Sequence, residues 1–509
     1  MKNIKYIVVL LGITFFSCDE DFLELTDQNG LNADNFMQTE GQAIEATTAI
    51  YDPLNHLGMY NLSFVTLGEI PTDNIINENG DGNFGPDMIK LNAYNWDGNN
   101  LYFNVRWSAA YKGISRANFL LDNLDKVTNF SAGKKNELEG QALFLRALYY
   151  YNLVAGFGDI PLLTTSLLTP DELNSISKSP EEDVWAQMEE DLSRAASLLP
   201  ATYPSEETGR ATKGAAFGLL SRVKLWTKDY IGAEDAAFEV EKLSYQLLNT
   251  ADYIKQFDGR MENSSESVFE VQLVSGFGRF FSAELAETSL LMHIFPRVPW
   301  AVYMIPRQTA SYDVVSDAFE ADDIRREASI LISGEDEINY VLPDGTNVVS
   351  VFPDLSIYSN FRTDLQTAGA YQIRKYLPYD PVNWRPGGAF FNNSVSINIP
   401  VIRYAEVILN KAEALVLQGK TNEAWNALEK IRLRAGLTMT GISNSDQTAL
   451  LEQIKKDRRV ELMFEGHRWF DLKRWGDLNN LTAAGLNYSG QTEWFIPQRE
   501  IDVNPNLGN

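Results

Sequence analysis

Two stretches far apart in this chain follow one helix-turn-helix plan, and that repetition limits the fold more than any other feature. In RYAEVILNKAEALVLQGKTNEAWNALEKIRLRAG, Ala405, Ile408, Ala412 and Leu415 recur at helical spacing. Gly419 then marks a turn, and Ala424, Ala427, Leu428 and Ile431 make a second apolar stripe. In ATKGAAFGLLSRVKLWTKDYIGAEDAAFEVEKL, Ala215, Leu219 and Val223 lead to a polar turn at Lys228 and Asp229, followed by Ala233, Ala236, Ala237 and Val240. Ala424 and Ala427 stand at one constant offset from Ala233 and Ala236. Small residues at these places let paired helices approach closely, and a unit near 34 residues is the tetratricopeptide length. The spacing predicts a scaffold of TPR-like helix hairpins.

Further helices are expected near Glu40 to Leu57, from about Leu101 to Leu124 and from Gly133 to Val154. Between about 251 and 400 the periodicity gives way to short apolar runs such as SVFEVQLV, broken by Pro296, Pro299, Pro306, Pro343, Pro353, Pro378, Pro381 and Pro386. Helix resumes from Val401 to Ala435 and from Ala449 to Trp475. The reading is a mainly α chain with a TPR-like helical-repeat scaffold and a loop-rich, irregular lobe containing minor β. Its helical part runs from about 35 to 250, the insertion from about 251 to 400, and the TPR-like and closing helices from about 401 to 509, all within one domain over 18–509. A long irregular insertion in a helical frame is where binding is usually placed.

The N-terminus carries Lys2 and Lys5, an apolar run from Ile7 to Phe16, and Ser17 directly before Cys18, the one cysteine of the 509 residues. Ten apolar residues are too few to span a bilayer, so residues 1–17 read as a signal peptide. A cysteine straight after the small residue resembles a lipobox, which makes Cys18 the expected lipidation site and outer-membrane anchor. A lone cysteine also rules out an internal disulfide, a Cys-based zinc site and a CxxC pair. The formal charge is -26, and losing residues 1–17 makes it two units more negative. Such a surface repels phosphate backbones, so nucleic acid is not an expected partner. Asp19, Glu20 and Asp21 follow the anchor and resemble an export signal for the outer face of the outer membrane.

Catalytic and metal chemistry find little footing. His56, His293 and His467 are scattered, and there is no HExxH, GxSxG, GxxxxGK[ST] or strand-closing GxGxxG. No cofactor or metal is expected. The loop from Asn77 to Gly82 echoes half of an EF-hand, but Met88 stands where the bidentate glutamate belongs. Glu461, Glu465, Arg458, Arg468 and Arg474 crowd one C-terminal segment, where ion pairs locking it to the repeats explain them. The positive signal is aromatic. Phe84 and Trp96 lie in an Asn/Gly/Asp-rich stretch, and Trp300, Tyr303, Tyr312 and Trp384 lie in the insertion. Sugar rings stack on such platforms, while Asp73, Asn74, Asp81 and Asn83 offer partners for hydroxyls. A carboxylate pair for glycoside hydrolysis stays open among the 69 acids.

Four segments together resemble the SusD/RagB family of Bacteroidetes outer-membrane nutrient-binding lipoproteins: GFGDIPLL from Gly156, IPVIRYAEVILNKAEAL from Ile399, RRVELMFEGHRWFDLKRWG from Arg458, and the closing WFIPQREIDVNPNLGN. The resemblance covers essentially the whole chain. It implies a scaffold of four TPR-like units under an irregular lobe. It also implies a cell-surface glycan-binding role, with oligo- or polysaccharide delivered to a SusC-like TonB-dependent transporter, and no catalytic residues. A peptide-capturing lid of the same transporter type is the alternative cargo.

Overall fold

The computed structural model describes residues 36–78, 85–273, 303–309, 311–332, 334–341, 347–351, 371–377 and 397–508. The chain opens with α1 (Glu40–Tyr51), started by a capping box in which the Thr39 hydroxyl accepts from Gln42 N and the Gln42 side chain accepts from Thr39 N. α1 stops where Pro53 enters a 3-10 turn, short of the expected end at Leu57. A short α2 (Ser63–Glu69) and strand β1 (Ile75–Glu78) follow.

From there the helices stack in sequence. α3 (Leu101–Asn123) packs on α4 (Lys134–Phe157), α4 on α5 (Glu181–Leu198), α5 on α6 (Lys213–Trp226), and α6 on α7 (Tyr230–Glu241). The next helix in the stack is α8 (Tyr404–Leu417), which packs on α7 although the whole irregular lobe separates them in sequence, and α9 (Thr421–Arg434) packs on α8. The lobe is therefore an insertion into a continuous repeat frame. Both hairpins turn alike: Lys228 has φ 59° and Gly419 φ 79°. The buried Ala233, Ala236 and Ala237 on α7, like Ala424 and Ala427 on α9, let the backbones close up.

Strands β2 (Ser267–Val271), β3 (Tyr303–Pro306), β4 (Ile330–Ile332), β5 (Tyr371–Ile373) and β6 (Ile399–Arg403) belong to the lobe and its root. Among the described residues every sheet is a two-stranded ribbon, here β1 with β3, β2 with β6, and β4 with β5. β6 occupies residues where the helical pattern was expected to begin at Val401. Its five residues are buried, and the pairing to β2 shifts register after Pro400, which cannot donate to a ladder.

The closing helix is not continuous. α10 (Gln447–Glu461) ends in a turn with Phe464 at φ 66° and Gly466 at φ 81°, before α11 (Arg468–Trp475) begins. That turn lies against α2. A Cβ on Gly68 would sit 2.3 Å from the Gly466 carbonyl oxygen, so only glycine permits this contact. One hydrophobic core runs from Met37 to Leu507, with a second cluster between α8, α9 and α10.

Candidate functional site

The β1–β3 ribbon joins two regions that are remote in sequence. Its register pairs Ile75 with Pro306 and Glu78 with Tyr303. The chain thus leaves β1 and enters β3 at the same end of the ribbon, the end to which the segments with Asp81, Asn83 and Phe84 and with Trp300 are attached. Trp300 is three residues from Tyr303, which limits their Cα separation to roughly 11 Å. Those four residues, together with Trp384 and Cys18, lie outside the described residues, and Tyr303 is described by its backbone alone.

The remaining candidates prove to be structural parts of the ribbon's root. Trp96 is 4% exposed and packs edge-on against Trp469 (5.9 Å between centroids) and Phe103 (6.2 Å), with Tyr94 at 5.6 Å. It presents no free face to a sugar, so it is a core residue rather than a stacking platform. Asp73 accepts two hydrogen bonds from Arg468, from Nε and Nη2, both at 2.8 Å, and pairs with Arg459 at 3.1 Å. Burial opposes its charge, but the two guanidinium groups prevail and hold its carboxyl well below the usual range. Asn74 donates to Glu69 Oε2 at 2.8 Å and accepts from Arg459 Nε at 2.9 Å. Tyr312 accepts from Arg459 Nη2 at 2.6 Å and donates to Asp317 at 2.8 Å, which leaves its ring half-buried. Asp73, Asn74 and Tyr312 thus fix the base of the ribbon to α10 and α11.

Glu69 completes this root. Its Oε1 accepts from the Gly466 and His467 backbone N–H groups at 3.0 and 3.2 Å. Burial nevertheless pushes its carboxyl up to about 7, against those hydrogen bonds. Two further amides were not singled out from the sequence. Asn77 on β1 and Gln372 on β5 are buried, and among the described residues both polar atoms of each lack a hydrogen-bond partner. β1 pairs with β3, and β5 packs against it. Nothing in a lone amide's sequence context signals unmet hydrogen bonding.

The acid- and arginine-rich C-terminal segment holds structure together, as its composition led one to expect. Arg403 donates to Glu266 (2.6 Å), to Glu461 (2.9 Å) and twice to Glu465 (2.7 and 2.8 Å), and Lys375 donates to Glu465 at 2.8 Å. Arg458 pairs with Asp471 at 2.8 Å, and Arg474 with Glu413. These carboxylates are buried and neutralised, and among the described residues no three His, Cys, Asp or Glu side chains gather as metal ligands do. Among the described residues the lobe's arginines are likewise spent internally. Arg307 donates to the Thr72 and Ile75 carbonyls, Arg325 pairs with Asp323 and Asp457, and Arg326 pairs with Asp336. Arg279, Arg297 and Arg385 lie outside the described residues.

Comparison with known proteins covers both halves of the chain. Residues 244–495 match the model of the SusD family, and residues 21–225 match a family described as starch-binding and associating with the outer membrane. A SusD-like protein of Formosa agariphila is 27% identical over 93% of this chain and 91% of its own length. The starch-binding protein SusD of Bacteroides thetaiotaomicron is 25% identical over 88% of this chain and 85% of its own. Among solved structures, a laminarin-binding SusD-like protein superposes with a TM-score of 0.72 at 26% identity, covering 92% of this chain and 98% of that one.

Proposed function

Because this chain belongs to the SusD family, we propose that it is a cell-surface glycan-binding lipoprotein that captures oligo- or polysaccharide and passes it to a SusC-like TonB-dependent transporter. The observation that carries this reading is the β1–β3 ribbon, which attaches two aromatic-bearing segments, one of them rich in Asn and Asp, at one end while its root is clamped to the scaffold. Its likeness to a laminarin-binding protein over nearly the full chain supports glycan as the cargo. Trp300, Tyr303, Trp384 and Phe84 supply the stacking faces, and Asp81 and Asn83 the hydroxyl partners. Cys18 carries the lipid, and the chain acts by binding alone, without a catalytic step. A carrier that must release its cargo needs modest affinity, on the order of -8 to -5 kcal/mol.

The test is affinity electrophoresis against neutral and acidic polysaccharides, with hits measured by calorimetry. Retardation by a neutral glycan without new reducing ends is expected. New reducing ends would replace capture with hydrolysis. Indifference to every glycan, together with peptide binding, would replace the cargo.

A further inference from the structure

α2 ends on Glu69, whose side chain is fully buried and holds two parts of the chain at once. Its Oε2 accepts from Asn74 Nδ2, in the residue that leads into β1, and its Oε1 accepts from the Gly466 and His467 N–H groups in the turn between α10 and α11. Asn74 in turn joins the two strands at their root, because its carbonyl accepts from Arg307 N, just after β3, at 2.8 Å. One carboxylate therefore stands between the ribbon and the frame. These three partners are neutral N–H donors. Arg468 is engaged by Asp73, and among the described residues no ammonium or guanidinium forms an ion pair with Glu69. Burial thus strips the carboxylate of hydration with no cation to replace it, and this outweighs the hydrogen bonds and raises its pKa to about 7. Gly68 and Gly466 meet backbone to backbone with no room for a Cβ, so the carboxyl reaches water only if α2 and that turn part. The titratable groups that face Glu69 keep their charge between about pH 5 and 8. Asp73 stays ionised against its burial because Arg459 and Arg468 face it, burial keeps His467 neutral above about 4, and burial keeps the Tyr376 phenol neutral. Beyond Tyr376, Glu465 stays ionised against its burial between Arg403 and Lys375.

We propose that Glu69 is a pH-sensitive latch at the root of the ribbon, holding β1 to the turn between α10 and α11 more firmly in acid than at neutral pH. When the latch opens, Glu69 meets water and takes its ordinary value of 4.5. The closed form keeps a proton that the open form has lost between that value and about 7. Its advantage is therefore complete below 4.5 and is lost as pH rises through about 7. Opening should become more than about tenfold easier between pH 5 and 8. The inference concerns how the ribbon is held rather than what it binds, so it stands or falls apart from the glycan reading.

The test is hydrogen–deuterium exchange of the full-length chain across that pH range, read by mass spectrometry and corrected for the intrinsic pH dependence of exchange. Peptides spanning 70–77 and 462–468 should lose about tenfold or more of their protection as pH rises, while peptides from the middle of α4, in the core, keep theirs. Glu69→Gln, which copies the neutral acid in shape and charge, should flatten the profile at both places. A flat profile in the unmodified chain would overturn the proposal. So would an equal loss in α4, which would mean general unfolding rather than a latch, or a slope that survives Glu69→Gln and so belongs to another group. Should thermal melting show that Glu69→Gln does not fold, Asn74→Ala decides: freed from Glu69, the 70–77 peptide should become indifferent to pH while 462–468 keeps its slope, and a slope persisting at 70–77 would sink the latch.

Discussion

His467 caps the entry to α11 with its backbone N–H on Glu69, and its imidazole lies among Glu406, Asp471, Arg222 and Arg458. Burial, against the pull of Glu406 and with the help of Arg222 and Arg458, lowers its pKa to about 4. The unfolded chain therefore takes up this proton first as pH falls from 6.5. The contribution is complete above 6.5 and is lost as pH drops through 4. His467→Gln should remove about 1–2 kcal/mol of the stability lost between pH 6.5 and 4. Urea titrations across that window measure it, and an acid limb as steep as in the unmodified chain would refute it. Glu69 works in the opposite sense, since its raised pKa favours the fold below 4.5 and that benefit fades as pH rises through 7. Asp73→Asn removes the carboxylate shared by two half-buried guanidiniums, leaving Arg459 only Asp317, and should cost about 2 kcal/mol, read from denaturant midpoints. Glycan retention should weaken with it. The sequence placed Asp73 and Trp96 among ligand partners because both lie in polar, turn-rich stretches. What removes them is contact with Arg468 and Trp469, and no local pattern carries a partner so remote in sequence.

At the level of elements, the hairpins were legible because their stabilising contacts are local. Ala233 and Ala424 announce close helix approach at a fixed spacing, and Asp229 caps α7 by accepting from Gly232 N at 2.9 Å. The ribbon was not legible. Its partners are separated by the stretch from Glu78 to Tyr303, and no two-residue turn announces the pairing. The break between α10 and α11 was hidden for a different reason: apolar and charged residues continue at helical spacing through a turn set by Gly68 meeting Gly466. The two hairpin turns offer a direct comparison. Lys228 holds the left-handed conformation that Gly419 adopts freely. Lys228→Gly should raise stability by up to about 1 kcal/mol, seen as a higher melting temperature, because relief of backbone strain outweighs the entropy gained by the unfolded chain. A lower melting temperature would show that the turn is not strained.

The molecule as a whole is strongly acidic, yet the lobe arginines described here are occupied by carbonyls and carboxylates. Retention of a neutral glycan should therefore change less than twofold between 50 and 500 mM salt, because stacking and neutral hydrogen bonds are not screened. A steep salt dependence in affinity gels would instead indicate a basic patch that recognises anionic sugars. Trp300→Ala combined with Trp384→Ala should abolish retention with the melting temperature unchanged, and unchanged retention would move the platform elsewhere. The clamp at the ribbon's root also bears on how the chain is made. The Asp73–Arg468 contact closes across 395 residues, and Glu69 waits for the backbone of Gly466 and His467, 397 and 398 residues on. Contacts of such range form slowly and only once both ends exist. A polypeptide that emerges N-terminus first therefore keeps its first strand unsecured until nearly all of it has been synthesised, so the root of the ribbon is finished last.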